Sequence, residues 1–487
     1  MQTLSAGLEK LGSNDLRSIT VDLDGTLVFT DMLHESALCC FKNNPLSIFM
    51  LPIWIFQGKA KVKKELALRA ATLDVGCLPY NLQLIDWLKI EKGNGRKLIL
   101  CTASDEKIAK KIAGYLDIFD EVLASDGALN LAGQNKAAKL AARFGDNGFD
   151  YVGNSTSDLP VWKKAKEGVV VSNSRNLIKK AKLHTSVKKV IYPTKLNFSS
   201  WVSALRIHQW LKNLLIFVPL LAAHQANNSA SWIVLFLAFF SFCLCASSVY
   251  IINDLLDLQS DRNHPRKKFR PFASGEIPIW VGCLLAPALI LVSLFISQFV
   301  GGGFLPWLAI YFALTCIYSL GVKRLILIDC LALAILYTLR IVAGGFAIDI
   351  PLSFWLLAFS TFLFLSLAFV KRYAELKSHR RNTDEKVHGR GYVASDAPLI
   401  EQLGISSGYA STLVLALYLN SENVTRFYRT PEFIWGAVPL MLLWISWMWL
   451  QAHRGNMNDD PIIFALKDKL STVIVIALFI VFIIAEV

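Results

Sequence analysis

From residue 211 to its end the sequence is a succession of nine apolar runs, at about 211–224, 231–252, 279–299, 303–320, 326–348, 352–370, 405–420, 432–451 and 471–487. Most approach the ~20 residues a helix needs to cross a bilayer. Backbone polar groups in hydrocarbon must be satisfied within the segment, which makes helices the expected form. Residues 201–487 therefore read as an all-α polytopic membrane domain of about nine transmembrane helices. The first 200 residues lack this pattern. A chain of 487 residues with mean hydropathy +0.45 and a charged N-terminal portion is expected to have two parts.

Loop charge sets an orientation. With the first run entering from the cytoplasm, loops 253–278, 321–325, 371–404 and 452–470 carry seventeen Lys and Arg, and the opposite loops carry two, Arg426 and Arg429. Positive residues are retained on the cytoplasmic side, so a multi-pass protein of a bacterial-type inner membrane is expected, with its large loops inside. Residues 1–17 include Glu9, Lys10, Asp15 and Arg17 and no apolar core, so no secretory signal is expected. The nine cysteines form no CxxC pair, which fits a reducing compartment. The net charge of +13 gathers beside apolar runs, without aromatic platforms. Anionic membrane lipids and phosphorylated substrates are the expected partners, and nucleic acid is not.

The connection after the second run, YIINDLLDLQSDRNHPRKKFRPFASG (250–275), is the densest in chemistry. Asn253, Asp257 and Asp261 are spaced four and four, one face of a helix, and Asp254 joins its edge. Crowded acids call for a cation, and oxygen-only donors suit Mg²⁺ shared with substrate phosphates. Arg262, Arg266, Lys267, Lys268 and Arg270 follow at once. Acids for metal beside bases for phosphate describe a pyrophosphate site. The pattern NDxxDxxxD followed by RPxxxG resembles the first signature of the UbiA-type intramembrane prenyltransferase superfamily.

The N-terminal part carries an ordered series of fragments. The β-branched SITV (18–21) reads as a buried strand ending in DLDGTL, so Asp22 and Asp24 meet in a βα loop. There one carboxylate can attack a phosphoryl group while the other handles the proton. RKLILCTAS (96–104) is a second strand ending at Thr102, a hydroxyl suited to a phosphate oxygen. Lys136 opens an amphipathic helix, and YVGNSTSDLP (151–160) is a strand followed by Asn154 and Asp158. The series resembles the haloacid dehalogenase (HAD) superfamily, which implies an α/β Rossmann-like domain over 1–175 with a helical cap at about 30–95. The resemblance implies Asp22 as nucleophile, Asp24 as acid/base, Thr102 and Lys136 on phosphoryl oxygens, and Mg²⁺ on Asp22, Asp24, Asn154 and Asp158. Asn154 stands where the family's pattern has Asp, one charge fewer. The insert PLSIFMLPIWIF (45–56), followed by Lys59, Lys61, Lys63 and Lys64, is too short to span a bilayer. It reads as cap core in preference to a surface dipping into the membrane. Residues 176–200, rich in lysine, read as a polybasic linker.

In the membrane part, RIHQWLKN (206–213) supplies Arg206 and Lys212. Asp329 and Arg340 fall inside the fifth run, as a site or as a structural pair. Where the prenyltransferase superfamily has a second acidic motif, this chain has KRYAE, with Lys371 and Arg372 favouring phosphate over metal. That variant resembles the polyprenyl-phosphate phosphoribosyltransferase branch. The resemblance implies phosphoribosyl pyrophosphate as donor, polyprenyl phosphate as acceptor and Mg²⁺ on Asn253, Asp254, Asp257 and Asp261, which would also be catalytic. Arg206 and Lys212 are assigned to the lipid phosphate, and Lys268, Arg270, Lys371 and Arg372 to the donor, with Tyr250 beside them. GRGY (389–392), Asp459 and Asp460 read as loop turns. The alternatives are prenyl transfer to an aromatic acceptor, and a lipid transporter or scaffold.

Overall fold

The computed structural model describes residues 17–126, 129–193, 195–301, 303–378, 391–420, 430–457 and 460–486. Asp459, the loop bases Arg380, Arg381, Lys386 and Arg390, and Arg426 and Arg429 lie outside the described residues. The chain divides into two compact units, Met1–Ala204 with Ile251–Leu285, and Leu205–Tyr250 with Ala286–Val487. The acid-rich connection thus groups with the N-terminal unit, although it continues a membrane-capable helix.

The first unit is built on a six-stranded, all-parallel sheet: β1 (Ser18–Val21), β2 (Leu98–Asp105), β3 (Glu121–Ser125), β4 (Phe149–Gly153), β5 (Glu167–Val171) and β6 (Ser186–Ile191), in the order β3-β2-β1-β4-β5-β6. β1 is central, with Val21 in register with Leu100 of β2 and Val152 of β4. Parallel sheets bury both faces, and β2 shows how. Leu98 and Leu100 enter one core with Ile19, Val21 and Ile112, while Ile99 and Cys101 enter the other with Phe149, Tyr151 and Trp162. That alternation is the two-residue period of a strand.

Two expectations change here. The stretch 176–200 is largely folded: helix Arg175–His184 buries Leu177 and Ala181, and β6 pairs with β5 as the sheet's sixth strand. Its lysines sit on solvent-facing positions of regular elements, which is why charge alone read as a linker. The helical insert is shorter than 30–95, running from Met32–Asn43 to Lys59–Arg69, because Leu82–Gly93 packs Leu84, Ile85 and Leu88 into the sheet core.

All nine apolar runs are largely helical. Among the described residues, five helices are long and apolar enough to cross a membrane: Ser229–Leu256, Ile279–Ser297, Ile328–Ala347, Phe354–Lys377 and Glu432–His453. A sixth forms if Pro461–Lys467 and Lys469–Ala485, bent by 82°, make one broken span. The other runs differ for identifiable reasons. Phe304–Leu320 has 17 residues, about 25 Å at the helical rise. Residues Ile207–Phe217 wind as a 3-10 helix, continued by Val218–Ala222. Ala397–Leu419 carries Glu401, Gln402, Ser406, Ser407, Ser411 and Thr412. Packing in the second unit is close: a Cβ on Gly344 would lie 2.1 Å from the Ile216 carbonyl oxygen, a small-residue approach typical of membrane helices.

Candidate functional sites

At the C-terminal end of β1 the chain turns through Asp22–Thr26 over buried polar side chains. Lys136, in the first turn of helix Gly133–Phe144, donates to Asp22 Oδ1 at 2.7 Å and to the Tyr151 hydroxyl at 3.1 Å. Tyr151 donates in turn to Asp158 Oδ1 at 2.7 Å. Asp24 accepts from Ser104 Oγ at 2.6 Å and from the Met32 amide at 2.8 Å. Thr102 is buried, and its Oγ1 accepts from the Ser104 amide at 2.9 Å. The structure therefore brings Asp22, Asp24, Thr102 and Lys136 to one strand end.

Burial pushes the Asp22 carboxyl up to about 6 against the pull of Lys136. Burial, then the charges of Asp31 and Asp22, pushes Asp24 up to about 7. Burial opposes the Lys136 ammonium, but Asp22 and Asp158 hold its pKa above the lysine range. Both carboxyls are thus raised from the ordinary carboxylate range toward neutral pH.

Asn154 reaches this loop because Gly25, at φ +72°, has no side chain. A Cβ there would come 2.1 Å from Asn154 Nδ2. The Asp22 carboxylate, the Asp24 carbonyl and the Asn154 amide form an oxygen-only donor set, which fits Mg²⁺. Asp158 has a different role from the expected ligand. Its Oδ2 accepts from the amides of Asn154 and Ser155 at 3.0 and 2.9 Å, so it holds the loop that carries Asn154. Sequence reasoning missed Lys63, Ser104 and Tyr151. Lys63, named above only among the lysines that follow the insert, donates to Ala103 O at 2.7 Å and Asn130 Oδ1 at 3.3 Å. Burial lowers its pKa, with Asp24 the largest opposing charge. Its position among four lysines in KAKVKK (59–64) gave no signal of this.

The acid-rich connection keeps its four-residue spacing. Asp257 N bonds to Asn253 O at 2.9 Å and Asp261 N to Asp257 O at 2.8 Å, although the helix breaks at Asp257 into Ser229–Leu256 and Leu258–Asn263. Asp254 and Asp261 are buried, and Arg270 Nη1 bridges them at 3.1 and 2.6 Å. The oxygen donors suit a hard cation, but the positive charge between these two acids is the Arg270 guanidinium. Among the described residues no group of three or more His, Cys, Asp or Glu is arranged as a metal site. Lys268 is exposed, its ammonium 5.2 Å from the Phe269 ring centroid. His264 Nδ1 accepts from the Arg266 amide at 3.2 Å, a turn contact.

In the second unit, Asp460 turns out to be the centre of a buried polar cluster and not a plain loop turn. Lys212 donates to its Oδ2 at 2.6 Å, Lys371 at 3.3 Å, and the Tyr337 hydroxyl lies 3.3 Å from Oδ1. Arg340 stands over the Tyr337 ring and donates to Asn213 Oδ1 at 2.8 Å and the Tyr311 hydroxyl at 3.0 Å. Arg206 stacks on Tyr250, 4.8 Å from the ring centroid. Arg372 departs from its expected role. It is buried and ion-paired with Asp329 and Glu375, with the Tyr392 hydroxyl 2.6 Å from Asp329 Oδ1. Asp329 therefore pairs with Arg372 instead of Arg340, and Tyr392 of GRGY is a core residue.

The two units together define a multi-pass membrane protein carrying an α/β part with a buried carboxylate–lysine centre. Residues 214–473 match the UbiA prenyltransferase family. The chain is 36% identical over 453 residues to the uncharacterized protein y4nM of Sinorhizobium fredii, covering 92% of this chain and 87% of that one. It is 37% identical over 288 residues to the nodulation protein NoeC of Azorhizobium caulinodans, covering 59% of this chain and 93% of that one. It is 32% identical over 295 residues to the decaprenyl-phosphate phosphoribosyltransferase of Mycolicibacterium smegmatis, covering 58% and 92%. The chain belongs to the UbiA prenyltransferase family.

Proposed function

We propose that the membrane part, from about residue 201, transfers 5-phosphoribose from phosphoribosyl pyrophosphate to a polyprenyl phosphate, and that a HAD-type phosphatase domain at the N-terminus removes the 5-phosphate on the cytoplasmic side. The observation that carries the reading is the basic set at Asp460: Lys212 and Lys371 both donate to its carboxylate, and Arg340 stands over the ring of Tyr337, whose hydroxyl reaches the same carboxylate. Lysine and arginine side chains gathered in one place suit phosphate oxygens, and donor and acceptor are both phosphorylated. The relatives named decaprenyl-phosphate phosphoribosyltransferase supply the reaction class.

On this reading a phosphate oxygen of the lipid attacks the anomeric carbon, and the bond to pyrophosphate breaks with its electrons leaving on the diphosphate. Lys212 and Arg206 hold the lipid phosphate, and Lys371 and Lys268 meet donor phosphates. Asn253, Asp254, Asp257 and Asp261 would hold Mg²⁺, whose charge would offset that of the leaving diphosphate. In the N-terminal site Asp22 attacks the phosphorus, Asp24 protonates the departing 5-hydroxyl and then deprotonates the water that frees phosphate, and Lys136 neutralises Asp22 and the phosphoryl oxygens. Asp22, the Asp24 carbonyl and Asn154 would hold a second Mg²⁺ there.

The test is product analysis on full-length protein in vesicles containing polyprenyl phosphate. Donor addition is expected to release pyrophosphate and then inorganic phosphate. Asp22→Asn is expected to keep the first release, stop the second and accumulate a phosphoribosylated lipid by mass spectrometry. Release of neither product by the wild type, or loss of both in the variant, overturns the scheme.

A further inference from the structure

The helical insert of the first unit presents an apolar face to the outside, against the expectation of cap core. Pro45–Met50 and Leu51–Phe56 follow one another as short helices. Leu46, Phe49, Met50, Ile53 and Phe56 are all exposed, Phe49 by 75% and Phe56 by 91%. Ile48 and Ile55 are exposed too, by 51% and 60%, so apolar side chains are presented around most of the element. One side is anchored. Trp54 is 3% exposed, packs with Cys40 and Leu66, and has the Arg69 guanidinium 4.7 Å from its ring centroid. The element is therefore held with its apolar face outward, and the face is not a by-product of a loose segment.

Two further observations say what covers it. Lys42, three residues before Pro45, donates to the Leu256 carbonyl at 2.7 Å, and Leu256 is the last residue of a membrane-capable helix. The apolar element thus begins near the C-terminal end of that helix. Lys59 and Lys64 follow it and are exposed, in reach of anionic headgroups. Twelve residues cannot span ~30 Å of hydrocarbon, but an apolar face flanked by lysines matches a helix lying in the interface.

We propose that residues 45–56 dip into the cytoplasmic leaflet and seat the N-terminal unit on the lipid surface where a lipid-linked phosphate is presented. The inference rests on exposure and placement, not on the phosphatase reading. The test uses full-length protein in vesicles of phosphatidylethanolamine and phosphatidylglycerol, with p-benzoylphenylalanine in place of Phe49 or Phe56, and of Ile90 or Leu183 as exposed controls on the same unit. After irradiation, lipid adducts on peptides bearing positions 49 and 56 are expected at least tenfold above those at 90 and 183. A smaller excess overturns the proposal. So does cross-linking of positions 49 and 56 mainly to a second copy of the chain, which would assign the face to self-association.

Discussion

Arg262 grips Glu35 with both ends of its guanidinium, Nη2 at 2.6 Å from Oε1 and Nη1 at 3.1 Å from Oε2, in a pair buried on both sides. Glu35 also accepts from Thr30 at 2.7 Å, and Arg262 Nε donates to Ala273 O at 2.9 Å. The pair joins the first cap helix to the residue that follows Asp261. Removing one partner of a buried pair strands the other and costs about 3–5 kcal/mol. Glu35→Ala is therefore expected to lower the calorimetric unfolding temperature of the detergent-solubilised chain. The exchange Glu35→Arg with Arg262→Glu is expected to regain part of the loss, which a purely steric role of either residue would not allow.

Phosphate release is expected to follow a narrow bell in pH. Asp22 must be ionised to attack, so the rate rises as pH passes about 6, and Asp24 must carry a proton to release the alcohol, so it falls above about 7. Carboxyls in the ordinary range would place both limbs near 4. The linkage to stability has a definite sign. A carboxyl raised by folding favours the folded state at low pH, and that contribution is lost as pH rises through the raised value. Asp24→Asn is accordingly expected to gain stability relative to wild type between about pH 5 and about pH 8, read from unfolding temperatures across that range.

Strands β1, β2 and β4 were legible because each is a short β-branched or apolar run, and their ends deliver Asp22, Thr102 and Asn154 in chain order; β6 was not, because its lysines read as a linker. What failed to show were relationships set by tertiary packing. Arg372 looked like a phosphate ligand because charge type is visible in a sequence and burial is not; its ion pair with Asp329 depends on two helices meeting. Asp460 looked like a loop acid for the same reason, since Lys212 lies 248 positions away. The insert 45–56 was ambiguous because an apolar run reads alike whether it faces a core or a lipid surface.

Lys212→Met is expected to separate acceptor binding from fold. The substitution keeps most of the side-chain length, leaves Asp460 paired with Lys371 at 3.3 Å, and removes one of three cations. Truncating a buried charged contact costs about 2–5 kcal/mol, so pyrophosphate release is expected to fall by about 30-fold or more in kcat/KM for the lipid phosphate, with the unfolding temperature lowered less than in Arg372→Met because Lys371 still pairs with Asp460. Arg372→Met should do the reverse. It leaves Asp329 buried beside Tyr392 without its cation, so instability is expected to precede any selective effect on KM.

Arg270 supplies the last case, because one guanidinium now neutralises Asp254 and Asp261. A divalent ion on those oxygens must compete with it. Chelation by EDTA is expected to stop pyrophosphate release, and added Mg²⁺ to restore it. Arg270→Met removes the competitor and leaves two buried acids short of positive charge. Mn²⁺, followed by electron paramagnetic resonance without donor, is expected to bind that variant about tenfold more tightly, since relief of a ~1.4 kcal/mol competition is a factor of ten. Donor KM is expected to rise in the same variant if the guanidinium, once displaced, turns to the diphosphate. Unchanged Mn²⁺ affinity would mean that the acid-rich connection is a structural ion-pair network, with Arg270 its permanent partner.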